Sequence, residues 1–155
     1  MDAKNHVEAI AYLYEIISNQ RAVSENVIKE INALLLSGVT YTIAQSGLGE
    51  PVKKKLVPGE YKKQPNHVLQ ADGNIHWYVD PLNVKDQMEQ LVNWVNSQIN
   101  TANPIYVAAV AYYNLTRIHA FDDSNGRGAR IFMNLILLKS GFFPVVIRLE
   151  KSGST

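Results

Sequence analysis

Apolar positions along this chain recur mostly at helical spacing. Val7, Ile10, Tyr14 and Ile17 fall near i, i+3, i+7 and i+10, which predicts one stripe of an amphipathic helix, broken at Ser18 to Arg21. Ser24 then reads as an N-cap, with Glu25 in the first turn. Val27, Ile28, Ile31, Leu34 and Leu35 form the stripe that this second helix should bury, and Gly38 stops it. A third helix is expected from Asn83, where Val84, Met88, Leu91, Val92 and Val95 repeat on one face and Lys85, Asp86, Glu89 and Gln90 point outward. Asn103-Pro104 reads as an N-cap followed by a first-turn proline. The helix it opens, Ile105 to about Arg117, is almost uncharged and is expected to be buried on most sides. Ile131 to Ser140 is apolar nearly all round, the pattern of a central core helix, and Gly141 suits its C-cap.

Two stretches lack this period. Thr40 to Gln64 carries Gly47, Gly49, Pro51, Pro58 and Gly59 and reads as loop, with Lys53-Lys54-Lys55 as an ordinary solvated run. In Asn66 to Val79, two short β-prone arms flank Asp72-Gly73, a pair suited to the positive φ angles of a tight hairpin turn. His67 and His76 fall on opposite arms, and without a carboxylate or third histidine at ligand spacing they read as hairpin residues. His6 is expected at the surface. The fold class is therefore mainly all-α with one β-hairpin, without internal repeats.

Composition narrows the function classes. At 155 residues one domain is expected, and 46% hydrophobic with 19% charged residues argues against disorder. A net charge of +1 gives no general case for nucleic acid or an anionic membrane, so any anion must be held locally. The absence of cysteine excludes disulfides, thiolate metal sites and cysteine nucleophiles. No apolar run approaches the roughly 18 residues of a membrane span, and MDAKNHVEAI is no secretory signal, so the cytosol is the expected location. A secretion signal read by a specialised apparatus escapes that test.

The chemistry concentrates in His119 to Arg130, HAFDDSNGRGAR. Asp122, Asp123, Ser124 and Asn125 all start helices well, so this stretch could be no more than a capped N-terminus. The mixture suits something further. A helix opening at Asn125-Gly126-Arg127 presents unpaired amides and the positive end of its dipole to an anion. Gly126 permits close backbone approach, and Arg127 and Arg130 can reach the same phosphates. Asp123 beside such a cradle would repel phosphates unless a cation lay between, which points to Mg²⁺. His119 stands where it could take a proton from an incoming hydroxyl. Neither GxxxxGK[ST] nor GxGxxG occurs.

HAFDDSNGRGAR resembles the Fic-domain signature HxFx(D/E)GNGRxxR, with His119, Phe121, Asp123, Asn125, Gly126, Arg127 and Arg130 in register. The similarity extends through QMEQLVNWVNSQINTANPIYVAAVAYYNLTRI before it and FMNLILLKSGFFPVVI after it. The resemblance implies a Fic fold, a helical bundle around the motif-bearing helix, and a single catalytic domain over residues 1–155. It implies transfer of AMP from ATP to a Ser, Thr or Tyr hydroxyl of a target protein. His119 would match the general base and Asp123 the Mg²⁺ ligand, while Asn125, Gly126, Arg127 and Arg130 would match the positions that hold the ATP phosphates. Phe121 would anchor the loop, and Asn66 to Val79 would be the flap that clamps a target segment by strand addition. Kinase-like relatives carry lysine at the Gly126 position, so glycine favours nucleotidyl transfer.

Ala120 stands where the family commonly has proline, and Ser124 where it has glycine. Ser124 enters the ATP site, and capping the helix, contacting a phosphate or the metal, and hindering ATP all remain open. Ser46 to Glu50 has the spacing of the family's inhibitory (S/T)xxxE(G/N) helix, but the following Pro51 and the glycine-rich context argue against it. In relatives that helix precedes the segment matching Asn5 onward, and more helix often follows the position of Ile147. Arg130 is thus expected to lack an intramolecular glutamate, the chain being trimmed or controlled by a partner that supplies one in trans. Other activities share the motif: AMP removal, phosphocholine transfer or use of another nucleotide donor. A weakly catalytic nucleotide- or target-binding module is the alternative from a different class.

Overall fold

The structure, a computed structural model, describes residues 2–45 and 49–146. Its elements run α1 (Asp2–Ser18), α2 (Glu25–Leu35), β1 (Tyr41–Gln45), β2 (Pro51–Lys55), β3 (His67–Leu69), β4 (Ile75–Trp77), α3 (Pro81–Gln98), α4 (Pro104–Ile118) and α5 (Asn125–Lys139). Helix α5 is the hub, packing against α4, α2 and α1, while α3 lies on α4 and touches α2. Its Phe132, Ile131, Leu135 and Ile136 are almost wholly enclosed, as an apolar circumference requires. Phe132→Ala would remove about 3–5 kcal/mol of stability. Among the described residues no helix is long and apolar enough to cross a membrane.

The caps explain the boundaries. Ser24 Oγ accepts from the Val27 amide, and Asn103 Oδ1 from that of Ile105. Helix α3 begins at Pro81 rather than Asn83, because Asp80 Oδ1 takes the Leu82 amide and Pro81 follows the cap. Gly141, at φ +82°, closes α5 with Phe142 N–H donating to the Leu137 carbonyl.

Helix α1 buries a different face from the one expected. Ala9, Leu13 and Ile16 are fully enclosed, whereas Val7 and Tyr14 are 66% and 52% exposed. The helix is apolar over a wide arc, and Asn5, one turn before Ala9, selects the inner face: its Nδ2 donates to the Leu35 and Ser37 carbonyls at the end of α2. On α2, Leu34 is only partly buried, and polar Asn32 joins the enclosed stripe. Nor is α4 buried on most sides, since Ile105, Tyr106 and Tyr113 form an exposed outer face.

Residues Thr40 to Gln64 are not all loop. Strands β1 and β2 pair antiparallel, with Tyr41 opposite Lys55 and Ile43 opposite Lys53. The expected hairpin is present as β3 and β4, with His67 opposite Trp77 and Val68 opposite His76. The turn bonds Gly73 N–H to the Gln70 carbonyl, and Gly73 takes φ +85°. Among the described residues neither strand pair brings its backbone close to a helix or to the other pair. The inhibitory-type spacing at Ser46 to Glu50 lies partly outside the described residues.

Candidate active site between α4 and α5

Helix α4 ends at His119, the C-cap, whose backbone turns left-handed at φ 51° and ψ 56°. The imidazole Nδ1 lies 3.1 Å from the Thr116 carbonyl oxygen, an atom that can only accept. The proton therefore sits on Nδ1, and Nε2 keeps a lone pair. Burial pushes the His119 pKa below the ordinary imidazole value; the Thr116 bond and Asp123 oppose the shift, and the charges of Lys62 and His76 assist it. The ring of Tyr78 lies flat on that of His119, with centroids 3.6 Å apart and planes 3° from parallel.

Phe121 is enclosed and tilts against Tyr61 at 5.5 Å, while Tyr61 donates to Glu25 in the first turn of α2. Asn125 serves the same loop. Its Oδ1 accepts from the Phe121 amide and its Nδ2 donates to the Phe121 carbonyl, so its side chain is taken up by the loop. Asp123 Oδ1 accepts from the Ser124 amide at 2.6 Å, and its carbonyl receives Asn32 Nδ2.

Ser124 occupies the N-cap position of α5 with φ 63° and ψ 25°, yet its side chain makes no cap bond. Arg127 Nη2 donates to its hydroxyl instead. The N-terminus of α5 thus keeps amides that no cap takes up, the feature that makes helix starts bind anions. The guanidinium of Arg130 folds over Gly126, where a Cβ would stand 3.4 Å from Nη1. His119, Asp122, Asp123, Ser124, Asn125, Gly126, Arg127 and Arg130 line one concavity of about 300 Å³. A larger open cleft, about 760 Å³, shares His119, Asp122 and Asp123 with it and runs between β1–β2 and β3. Among the described residues no cluster of three or more histidines and carboxylates could hold a metal by itself.

The Fic/DOC family model matches residues 22–137, which takes in α2 to α4, the loop between His119 and Asn125, and all but the last two residues of α5. The chain belongs to the Fic/DOC family. Protein adenylyltransferase fic-1 of Caenorhabditis elegans is 44% identical over 73 residues, which is 46% of this chain and 14% of that protein. The fold is similar to that of a Fic domain containing signaling protein from Bacteroides thetaiotaomicron, with a TM-score of 0.78 and 30% identity over 94% of this chain and 50% of that one. It is also similar to IbpAFic2 covalently tethered to Cdc42, with a TM-score of 0.65 and 25% identity over 91% of this chain and 42% of that one. The chain thus spans half or less of the length of these relatives.

Within the Fic/DOC frame, the left-handed backbone at Ser124 accounts for the glycine usual there, since a side chain at positive φ is strained. His119, Asp123, Ser124, Asn125, Gly126, Arg127 and Arg130 line one concavity while Ala120 and Phe121 are buried in the core, but the residues that hold the loop escaped sequence reasoning. Lys54 is no free loop lysine: Nζ stands 3.1 Å from Asp122 Oδ1 and links β2 to the motif loop. Lys62 is 3% exposed, and burial lowers its pKa to about 8. Its Nζ donates to Asn66 Oδ1 at 2.6 Å, and Asn66 Nδ2 donates to the His119 and Phe121 carbonyls. The one available signal was the i, i+4 spacing of Lys62 and Asn66 directly before the hairpin, and it carries little by itself.

Proposed function

We propose that this chain is the catalytic domain of a protein adenylyltransferase, moving AMP from ATP to a Ser, Thr or Tyr hydroxyl of a target protein. The observation that carries the reading is the wall shared by two concavities. His119 and Asp123 border both the arginine-lined helix start and the strand-lined cleft, so a phosphate donor and a polypeptide acceptor can meet there. The names of the curated relatives agree with it.

In this reading His119 Nε2 takes the proton of the target hydroxyl as the oxygen–Pα bond forms. The bond from Pα to the β-phosphate oxygen breaks, and pyrophosphate leaves. Ser124, Asn125 and Gly126 border the phosphates, the latter two offering backbone amides, and Arg127 and Arg130 pair with their charge. Of the two carboxylates that line the concavity, Asp122 is paired with Lys54, and the site fits Mg²⁺ held by Asp123 together with nucleotide oxygens. Bound there, Mg²⁺ would neutralise phosphate charge. The target would add a strand to the β3–β4 flap, Asn66 to Val79, whose Leu69, Ile75 and Trp77 are exposed. A glutamate reaching Arg130 from a regulatory partner would compete with the nucleotide, and a cytosolic site of action is consistent with the reading.

The test incubates the protein with Mg²⁺, a cell lysate and ATP labelled at either the α- or the γ-phosphate. Label should pass to protein from the α position only. Transfer from the γ position would make the chemistry kinase-like and remove the proposal. Binding of nucleotide without transfer of either label would leave a binding module.

A further inference from the structure

Helix α4 ends inside the protein, and its terminal carbonyls need donors that the helix cannot supply. The carbonyls from Ile118 to Phe121 are met from one short segment. Lys62 Nζ lies 3.4 Å from the Ile118 oxygen and the Lys62 amide donates to Ala120 at 2.8 Å. Asn66 Nδ2 donates to His119 at 3.1 Å and to Phe121 at 3.2 Å. Lys62 also decides which way Asn66 points. An ammonium can only donate, so it fixes Oδ1 toward itself and turns Nδ2 toward the His119 turn. The carbonyl end of a helix dipole suits a cation, which helps this amine remain buried.

The same segment begins the flap. Asn66 stands directly before β3, and its carbonyl accepts from the Tyr78 amide just beyond β4. Tyr78 in turn stacks on the His119 ring. Backbone and ring of His119 are therefore both held from the root of one hairpin. We infer that Lys62 and Asn66 are positioning residues that lock the His119 turn to the root of the β3–β4 hairpin, so that a target strand seated there arrives in fixed register with the base. The inference rests on the proposed role of His119 as base. The charged and titratable groups facing the imidazole are Lys62, Asp123, His76 and Tyr78; of these, Lys62 is the one that also fixes the turn.

The experiment compares the full chain with K62M, K62R and N66D. N66D keeps an acceptor for Lys62 and removes the donor to the carbonyls. Three quantities are read: MgATP affinity by calorimetry, turnover of AMP transfer at saturating ATP onto lysate proteins, and the His119 ring nitrogens by ¹⁵N NMR, assigned with H119A. K62M and N66D should leave MgATP affinity unchanged but lower turnover about 10- to 100-fold, the effect expected of a displaced catalytic group. The single Nδ1–H tautomer of the wild type should become a mixture in both, and K62R should restore tautomer and turnover. If K62M and N66D lose only thermal stability, with tautomer and turnover intact, the two residues merely cap a helix and the inference fails. If the wild type labels no protein while the tautomer still responds to K62M and N66D, the transferase reading fails and the positioning role stands.

Discussion

The two ends of the His119–Asn125 loop are built in opposite ways. At the His119 end the terminal carbonyls of α4 are met by Lys62 and Asn66, the imidazole is stacked by Tyr78, and its proton is fixed on Nδ1 by Thr116. At the α5 end the N-cap side chain takes no helix amide, its residue is held left-handed, and two half-buried arginines border an open concavity. In the proposed mechanism the difference separates a group that acts by its position from groups that act by receiving charge. A base must be preorganised, because a small displacement is costly. An anion cradle keeps donors for its ligand to complete.

That contrast can be broken from either side. H119A should have the largest effect, a loss of transfer of about 10²- to 10⁴-fold with MgATP affinity retained, measured by label transfer and calorimetry. R130A should act on the other term, weakening MgATP binding by about 1.5–3 kcal/mol, read as the dissociation constant. If H119A weakened nucleotide binding as much as R130A, the two ends would not be separate in function.

Smaller effects sharpen the picture. S124G should stabilise the fold by about 1 kcal/mol, because glycine tolerates the left-handed backbone, and should tighten MgATP binding by releasing Arg127 Nη2 from the serine hydroxyl; melting temperature and calorimetry check both. The pH dependence of turnover follows from the lowered His119 pKa. In the proposed mechanism the neutral ring is the active base, so activity should hold at pH 7 and fall only below the ordinary imidazole range. In K62M the cation that helps depress this pKa is gone, and the acid limb should move up.

Much of this was legible along the chain because it rests on local physics. Ser24 and Asn103-Pro104 announce their helices by capping, Asp72-Gly73 announces a turn by its tolerance of positive φ, and the motif places its ionisable groups within one loop. What stayed hidden depends on partners distant in sequence. Lys62 and Asn66 meet carbonyls more than fifty positions away, and nothing local marks a lysine for burial. The β1–β2 pair gave no period-2 signal because its half-buried face is made of Thr42, Ala44 and Lys54 while Ile43 lies exposed, and β2 carries three lysines, residues poorly suited to strands. The inner face of α1 was ambiguous because its apolar arc is wide, and Asn5 resolves it only through carbonyls of α2 and the following turn. The left-handed conformation of Ser124 could be suspected from the usual glycine, but its bond to Arg127 could not.

The most direct measurement of the central claim is intact-mass spectrometry of protein modified by the wild-type chain and by H119A with Mg²⁺ and ATP. The account predicts a gain of one AMP moiety on a hydroxyl side chain, absent with H119A. A gain of one phosphate, or an AMP gain of equal extent with H119A, would contradict it.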